Sequence, residues 1–285
     1  METVIEIIGV NGDQVILAGE ETGVDGMWLA SELSGFYDPE IQSNTKRRAN
    51  RAGTKFVSHR ILERTVIFNV GIENGEGFGN TWRERDARWR RLWDYDRYAT
   101  IRVTTDEGTR NLSVRLESIE VDTKYDPDTN EVTNIVMTVV ADDPFWYAPP
   151  LIEEVVVNSS AALVVERANP TGNPIFPIWV LEAPGKWLIP DLEFDKNGVP
   201  SVFNEVYLPE LKAGEHLLVN TDPAERQLTS ANGSNVWGRM NGVRFANPIP
   251  PDTGKVEYWI AVESGAPRQA QLRLERPYNR PWGRI

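Results

Sequence analysis

The stretch Ala141–Pro150, ADDPFWYAPP, constrains this chain more than any other. It follows a run, Val132–Val140, that alternates with the two-residue period of a strand, and a second alternating run begins at Ile152. Between them, Phe145, Trp146 and Tyr147 sit among turn formers, while Pro149 and Pro150 fix φ and remove two backbone donors. Two readings stay open. One is a strand-end turn with buried aromatics. The other is a junction whose aromatics set two β domains against each other, since a flexible connector needs no such bulk. A chain of 285 residues is long enough for one large or two ordinary domains. The second reading divides it into 1–145, a junction at 146–151, and 152–285.

A hydrophobic content of 40% and a charged content of 25% place the chain among soluble globular proteins. No run of about 18 apolar residues exists, so no membrane span is expected. The opening METVIEIIGVNGD is acidic and alternating, which predicts a strand rather than a signal peptide. The absence of cysteine excludes disulfides, thiol catalysis and zinc–thiolate sites, and it suits a reducing cytoplasm. The net charge of −12 argues against non-specific nucleic-acid binding by the overall field. Residues 1–150 hold most of that charge, with 17 Lys and Arg against 26 Asp and Glu. Residues 151–285 hold 13 against 16. Solubility alone accounts for such an imbalance; a surface that repels polyanions is the sharper reading.

The first half alternates like an antiparallel β domain. Thr3–Ile8 and Gln14–Leu17 predict a hairpin across Asn11-Gly12-Asp13. Further strands are expected at Met27–Leu33, Arg60–Val70, Ala99–Thr105, Arg110–Asp122 and Glu131–Val140. One helix interrupts them over 81–97. Thr81 and Glu84 have the spacing of a capping box, and Trp82, Trp89, Leu92 and Trp93 make an apolar stripe. Arg83, Arg85, Arg88, Arg90 and Arg91 interleave with Glu84, Asp86, Asp94 and Asp96, which favours salt-bridged docking over nucleic acid.

Residues 34–56, SGFYDPEIQSNTKRRANRAGTKF, show neither period and read as a long loop. Lys46, Arg47, Arg48 and Arg51 make it basic within an acidic half, and they are the candidate subunit-interface residues. A neighbouring acidic copy of the same chain would order such a loop.

The second half carries short strands at even spacing and almost no helix, the pattern of a β-sandwich or jelly roll. Expected strands are Glu154–Val157, Ala162–Glu166, Ile175–Glu182, Lys186–Pro190, Leu192–Phe194, Glu205–Leu208, His216–Asn220, Arg226–Thr229, Gly238–Ala246, Lys255–Val262 and Gln269–Glu275.

Nothing in the sequence argues for an enzyme, a cofactor or a metal. His59 and His216 stand outside any metal pattern, and there is no GxSxG elbow, Walker loop or GxGxxG. Gly71–Gly79 is glycine-rich before a helix, but it carries Glu73 and Glu76 and no lysine. Asp126–Asn130 lacks the EF-hand glycine and terminal glutamate. Asp142-Asp143 is an adjacent acidic pair of the kind usually solvated. Trp237, near a turn, is the best candidate to stack on a sugar, although core packing explains tryptophans generally.

Taken in order, these features resemble the distal tail protein family of long-tailed bacteriophages, and in style the minor tail proteins of actinobacterial phages. The resemblance rests on the helix Thr81–Arg97 between N-terminal strands, on Asp142–Pro150, and on three C-terminal stretches. These are GNPIFPIWVLEAP (Gly172–Pro184), EHLLVNTDPAER (Glu215–Arg226) and NGVRFANPIPPDTGKVEYWI (Asn241–Ile260). It covers nearly the whole chain. It implies a mainly β protein: a tail-tube-like N-terminal β-sandwich or barrel with one helix, then a C-terminal galectin-like β-sandwich (jelly roll). It further implies a structural virion protein of the phage tail tip, made in the host bacterial cytoplasm. In that family a hexameric ring joins the tail tube to the baseplate and surrounds the DNA channel, and DNA passes without specific binding. Implied partners are further copies, the tail tube protein, the tail-tip hub or tail-associated protein, the tape measure protein, and fibre or receptor-binding proteins. No catalytic residue is carried over. The alternative is a carbohydrate-binding minor tail protein that touches the host surface.

Overall fold

The computed structural model describes residues 3–49, 51–75, 81–122, 124 and 126–283. It is mainly β, and it divides into two compact units: one of residues up to Ala148 together with Asn279–Gly283, the other essentially Pro149–Tyr278.

In the first unit the strands are β1 (Val4–Ile8), β2 (Gln14–Ala18), β3 (Met27–Ser34), β4 (Ile41–Arg47), β5 (Thr54–Ile61), β6 (Arg64–Glu73), β7 (Ala99–Thr105), β8 (Gly108–Val121) and β9 (Val132–Ala141). The start of β10 (Trp146–Val157) belongs here too, with Tyr147 opposite Asn111 of β8. The 14-residue β8 is the pivot. Its first half pairs with β7, which continues to β1 and β2, and its second half pairs with β9, which continues to β6 and β3. The partner changes between Val114 and Arg115, and the β9 pairing carries a register shift between Leu116 and Ser118, the mark of a bulge. Ile5, Ile7 and Ile101 from one arm of this sheet meet Phe68 from the other around a small apolar void. Strict alternation, as in β7 with its odd positions buried, follows from one face packing on that core.

Helix α1 (Trp82–Arg91) starts as the sequence predicts: the Thr81 hydroxyl accepts from Glu84 N–H, and the Glu84 carboxylate accepts from Thr81 N–H. It seals the core with Trp89, which meets Phe68 edge-on at 6.4 Å and Trp93 at 5.3 Å. The expected helix 81–97 is too long. Leu92 caps it, and the Asp94 carboxylate accepts from Asp96 N–H and the Arg97 guanidinium, a local alternative to the helical ladder. The expected turn at Asp126 is a short helix, α2 (Pro127–Asn130), capped by the Asp126 carboxylate.

Two further expectations change. Residues 34–56 are not a structureless loop: β4 and β5 pair as a separate two-stranded sheet. Every residue of β4 is exposed, so neither face has a reason to be apolar and no period is written into the sequence. The expected strand Arg60–Val70 is broken at Leu62, whose N–H turns aside to Glu40 O at 2.9 Å. The segment 146–151 lies inside β10, where Pro149 and Pro150 are both exposed, and Trp146 packs on Phe36 within the first unit at 5.2 Å.

The second unit is two facing sheets. One runs β16 (Leu228–Ser230), β15 (Leu217–Asn220), β12 (Ile178–Leu181), β18 (Arg268–Tyr278) and β10; the other runs β11 (Ser160–Val165), β17 (Val256–Glu263), β13 (Lys186–Phe194) and β14 (Pro200–Tyr207). Trp179 of the first meets Tyr258 of the second edge-on at 5.8 Å, and Trp187 is fully buried beside them in the same core. Lys186–Pro190 and Leu192–Phe194 are one strand, β13. Gly238–Ala246 is not a strand. A 3-10 turn covers Trp237–Arg239, and side chains replace sheet partners: Gln227 Oε1 accepts from Phe245 N–H, and the Asp191 carboxylate accepts from Ala246 and Asn247 N–H.

Candidate functional site

The basic segment singled out by the sequence is the β4–β5 hairpin, and its base is organised by Arg64. This residue opens β6, where the chain leaves the hairpin, and only 2% of its surface is exposed. Its Nε donates to Pro144 O at 2.7 Å, Nη1 to Gly35 O at 2.7 Å and to Tyr37 O, and Nη2 to Asn279 O at 2.7 Å. All four partners are neutral carbonyls. Burial therefore pushes the guanidinium pKa down to about 10, with Asp38 acting in the opposite direction. Gly35 is required beside it: its φ is +79°, and a Cβ there would stand 2.0 Å from Thr65 O. Asp38 makes a two-pronged pair with Arg280 at 2.7 and 2.9 Å, which lowers the pKa of the Asp38 carboxyl. Tyr37 meets Trp282 edge-on at 5.4 Å. So the segment entering the hairpin, Gly35–Asp38, is fixed on several sides.

The tip is the opposite. Lys46 lies directly across from Lys55, and Arg47 across from Thr54. Arg48 and Arg51 flank the turn; Asn50 between them lies outside the described residues. Among the described residues, none of these five cations forms an ion pair within the chain. Like charges opposed across two strands repel, and an isolated hairpin is at best marginal in water. Phe56 stacks on His59 at 6.2 Å yet is 58% exposed, and Ile41 and Val57 are at least half exposed. The arrangement is a cationic, partly apolar arm with a clamped base. Chemically it suits an acidic surface.

The other sequence candidates scatter. Trp237 is half-buried against the second core, and the Arg244 guanidinium lies 5.6 Å from its ring centroid. His216 Nδ1 accepts from Ala183 N–H at 3.3 Å. Asp142 and Asp143 do not act as a pair. Asp142 accepts from Tyr98 Oη at 2.5 Å and from Arg115, which together lower its pKa, whereas Asp143 accepts from Tyr147 Oη at 2.8 Å. Asp126 spends its carboxylate on Asp128 N–H and the Thr129 hydroxyl. Within Gly71–Gly79, the positions from Glu76 onward lie outside the described residues.

Sequence reading missed the buried polar groups. Asn169 is fully enclosed; its amide donates to Asn173 O, Ile249 O and Pro250 O, and its carbonyl accepts from Thr171. This clip ties GNPIFP to NPIPPDTG, and Ile175 bridges to Ile249 beside it. Glu215 accepts from Lys212 N–H at 2.8 Å and from Arg239 at 2.7 Å, and these donors hold its pKa down to about 2. Asn-Pro pairs were the available signal, but most of their partners lie far away in sequence, and Arg64 read only as one position of the expected strand Arg60–Val70.

No protein-family model matches the chain. It is 34% identical to the minor tail protein Gp27 of Mycobacterium phage D29, over 99% of this chain and 98% of the relative. The Gp27 minor tail protein of Mycobacterium phage L5 matches at the same identity and coverage. Among solved structures, the fold is similar to the Dit (gp 19.1) protein of phage SPP1, with a TM-score of 0.60 at 15% identity, over 97% of this chain and 99% of that one. A chain of the phage P2 baseplate in its activated conformation matches with a TM-score of 0.51 at 11% identity, over 98% and 100%.

Proposed function

This chain belongs to the minor tail protein family of mycobacteriophages, components of the virion tail, and from that premise we propose that it is a structural adaptor forming a ring at the tail tip. The observation that carries the reading is the β4–β5 hairpin: an arm of cations with no ion-pair partner among the described residues, on a chain of net charge −12. Its natural acceptor is an acidic surface of the next copy. Such a contact is head-to-tail, and head-to-tail contacts close into a ring when the rotation between copies closes. Six copies are the expected number. Lys46, Arg47, Arg48 and Arg51 are the contact residues. In this ring the first unit, with 26 Asp and Glu against 17 Lys and Arg in residues 1–150, lines a channel that does not hold DNA. The second unit, read as galectin-like, faces the tail-tip hub and fibre proteins, while the tube and tape measure proteins meet the ring. The chain performs no catalysis in this reading.

Class averages of the purified chain by electron microscopy test it. Sixfold rings with a central opening are expected. Reversing Lys46, Arg47, Arg48 and Arg51 to Glu should shift sedimentation toward the monomer, most clearly at low salt. A chain that stays monomeric at every concentration overturns the ring.

A further inference from the structure

On the face of the β10–β18–β12–β15 sheet turned away from the second unit's core lies a groove of about 440 Å³. That is within the about 300–1,000 Å³ usual for small-molecule sites. Its apolar floor includes Val156, which is 58% exposed, and Val180. Across the floor runs an ordered polar relay. Arg273 Nε donates to Gln271 Oε1, and Gln271 Nε2 donates to Glu154 Oε1 at 2.6 Å, which fixes the amide orientation from both sides. At the other end Glu182 accepts from Gln269 N–H at 2.8 Å. His216 completes the lining. Its Nδ1 accepts a backbone N–H, so in the neutral ring Nε2 carries the proton and is a donor. The groove thus offers acceptors with no donor capacity, Glu154 and Glu182, beside donors with no acceptor capacity, the Arg273 guanidinium and His216 Nε2.

We propose that this groove binds a neutral sugar ring. A hydroxyl both donates and accepts, so a polyhydroxylated ring satisfies carboxylates and guanidinium in turn, while its C–H face covers Val156 and Val180. An anion would meet the like charges of Glu154 and Glu182, and a cation that of Arg273, whereas a neutral hydroxyl meets no like charge. The site is separate from Trp237 and from the hairpin, and it holds whether or not the chain forms a ring.

Saturation-transfer NMR on the full chain tests the proposal, with D-glucose, D-galactose, D-mannose and D-arabinose as probes at about 10 mM, enough to populate a millimolar site. D-glucuronate and D-glucosamine serve as charged comparisons. Transfer is expected from at least one neutral sugar. It should disappear in Val156→Trp, which fills the floor, and weaken in Gln271→Leu, with the melting temperatures of both variants unchanged. Because Val156 is exposed, a folding failure there is not expected; should it occur, Gln271→Leu decides alone. No transfer from any neutral sugar, undiminished transfer in the folded variants, or stronger transfer from either charged comparison overturns the proposal.

Discussion

Arg64 and the cations of the hairpin tip serve one element and are treated in opposite ways. Arg64 is buried and spends its donors on four main-chain carbonyls. Lys46, Arg47, Arg48 and Arg51 stand in solvent with no ion-pair partner among the described residues, and Lys46 even opposes Lys55. The same residue class therefore does two jobs. At the base, positive charge holds strand ends and the segment Gly35–Tyr37 in place, because buried carbonyls without donors are costly. At the tip, charge does nothing for the isolated fold. The difference separates residues that shape the molecule from residues left available to something outside it.

The strongest way to break this contrast is Arg64→Met. Removing the guanidinium leaves several buried carbonyls without donors, and a loss of about 3 kcal/mol or more is expected. Urea unfolding measures it, and proteolysis within residues 35–63 should accelerate. A stability equal to wild type would mean that water replaces Arg64 freely.

Acid sharpens the contrast in the second unit, where Glu215 is held by the fold as Arg64 is. Its folded pKa, about 2, lies below its ordinary value of 4.5. The folded state therefore binds the proton less readily than the unfolded chain. The resulting stability is present above about pH 4.5 and is lost as the pH falls toward 2. Unfolding free energy followed between pH 5 and pH 2 should drop less steeply in Glu215→Gln than in wild type. Parallel curves would remove Glu215 from the acid response.

Asp38→Asn should cost less than either, since the Asp38–Arg280 pair is about half exposed and such pairs contribute little. Thermal melting at low and high salt is the measurement, with the variant's deficit shrinking as salt rises. Smallest of all is Lys46→Glu. It replaces a like-charge pair across the strands with an opposite one, so the monomer should gain about 0.2–1 kcal/mol. Assembly should weaken at the same time. A variant that loses monomer stability would show that the tip cations already have a role within the fold.

Much of the fold was legible. The hairpin across Asn11-Gly12-Asp13, the capping box at Thr81 and the strand Ala99–Thr105 were readable because each depends on neighbours within a few residues. The candidate site was legible only as a charge cluster. Residues 34–56 read as a loop because strands exposed on both faces carry no alternation. Gly238–Ala246 read as a strand because it holds Met240 and Phe245, which do pack inward, but Asp191 and Gln227 supply its backbone partners. The groove was invisible, since Glu154, Gln271 and Arg273 come together from strands more than a hundred residues apart.

The sequence by itself determined the class of the protein: mainly β, without cysteine, acidic overall, with one capped helix and a basic segment near residue 47. Those properties are sums or short-range patterns, and they do not depend on where distant segments meet. Only the tertiary structure decided which charges are used up. Arg64 and Arg47 are chemically identical and both lie at strand ends. Carbonyls from Gly35, Tyr37, Pro144 and Asn279 converge on Arg64. Among the described residues, no comparable set of acceptors reaches Arg47. Desolvation and directed hydrogen bonds need atoms brought within about 3 Å, and that is a property of the folded chain alone.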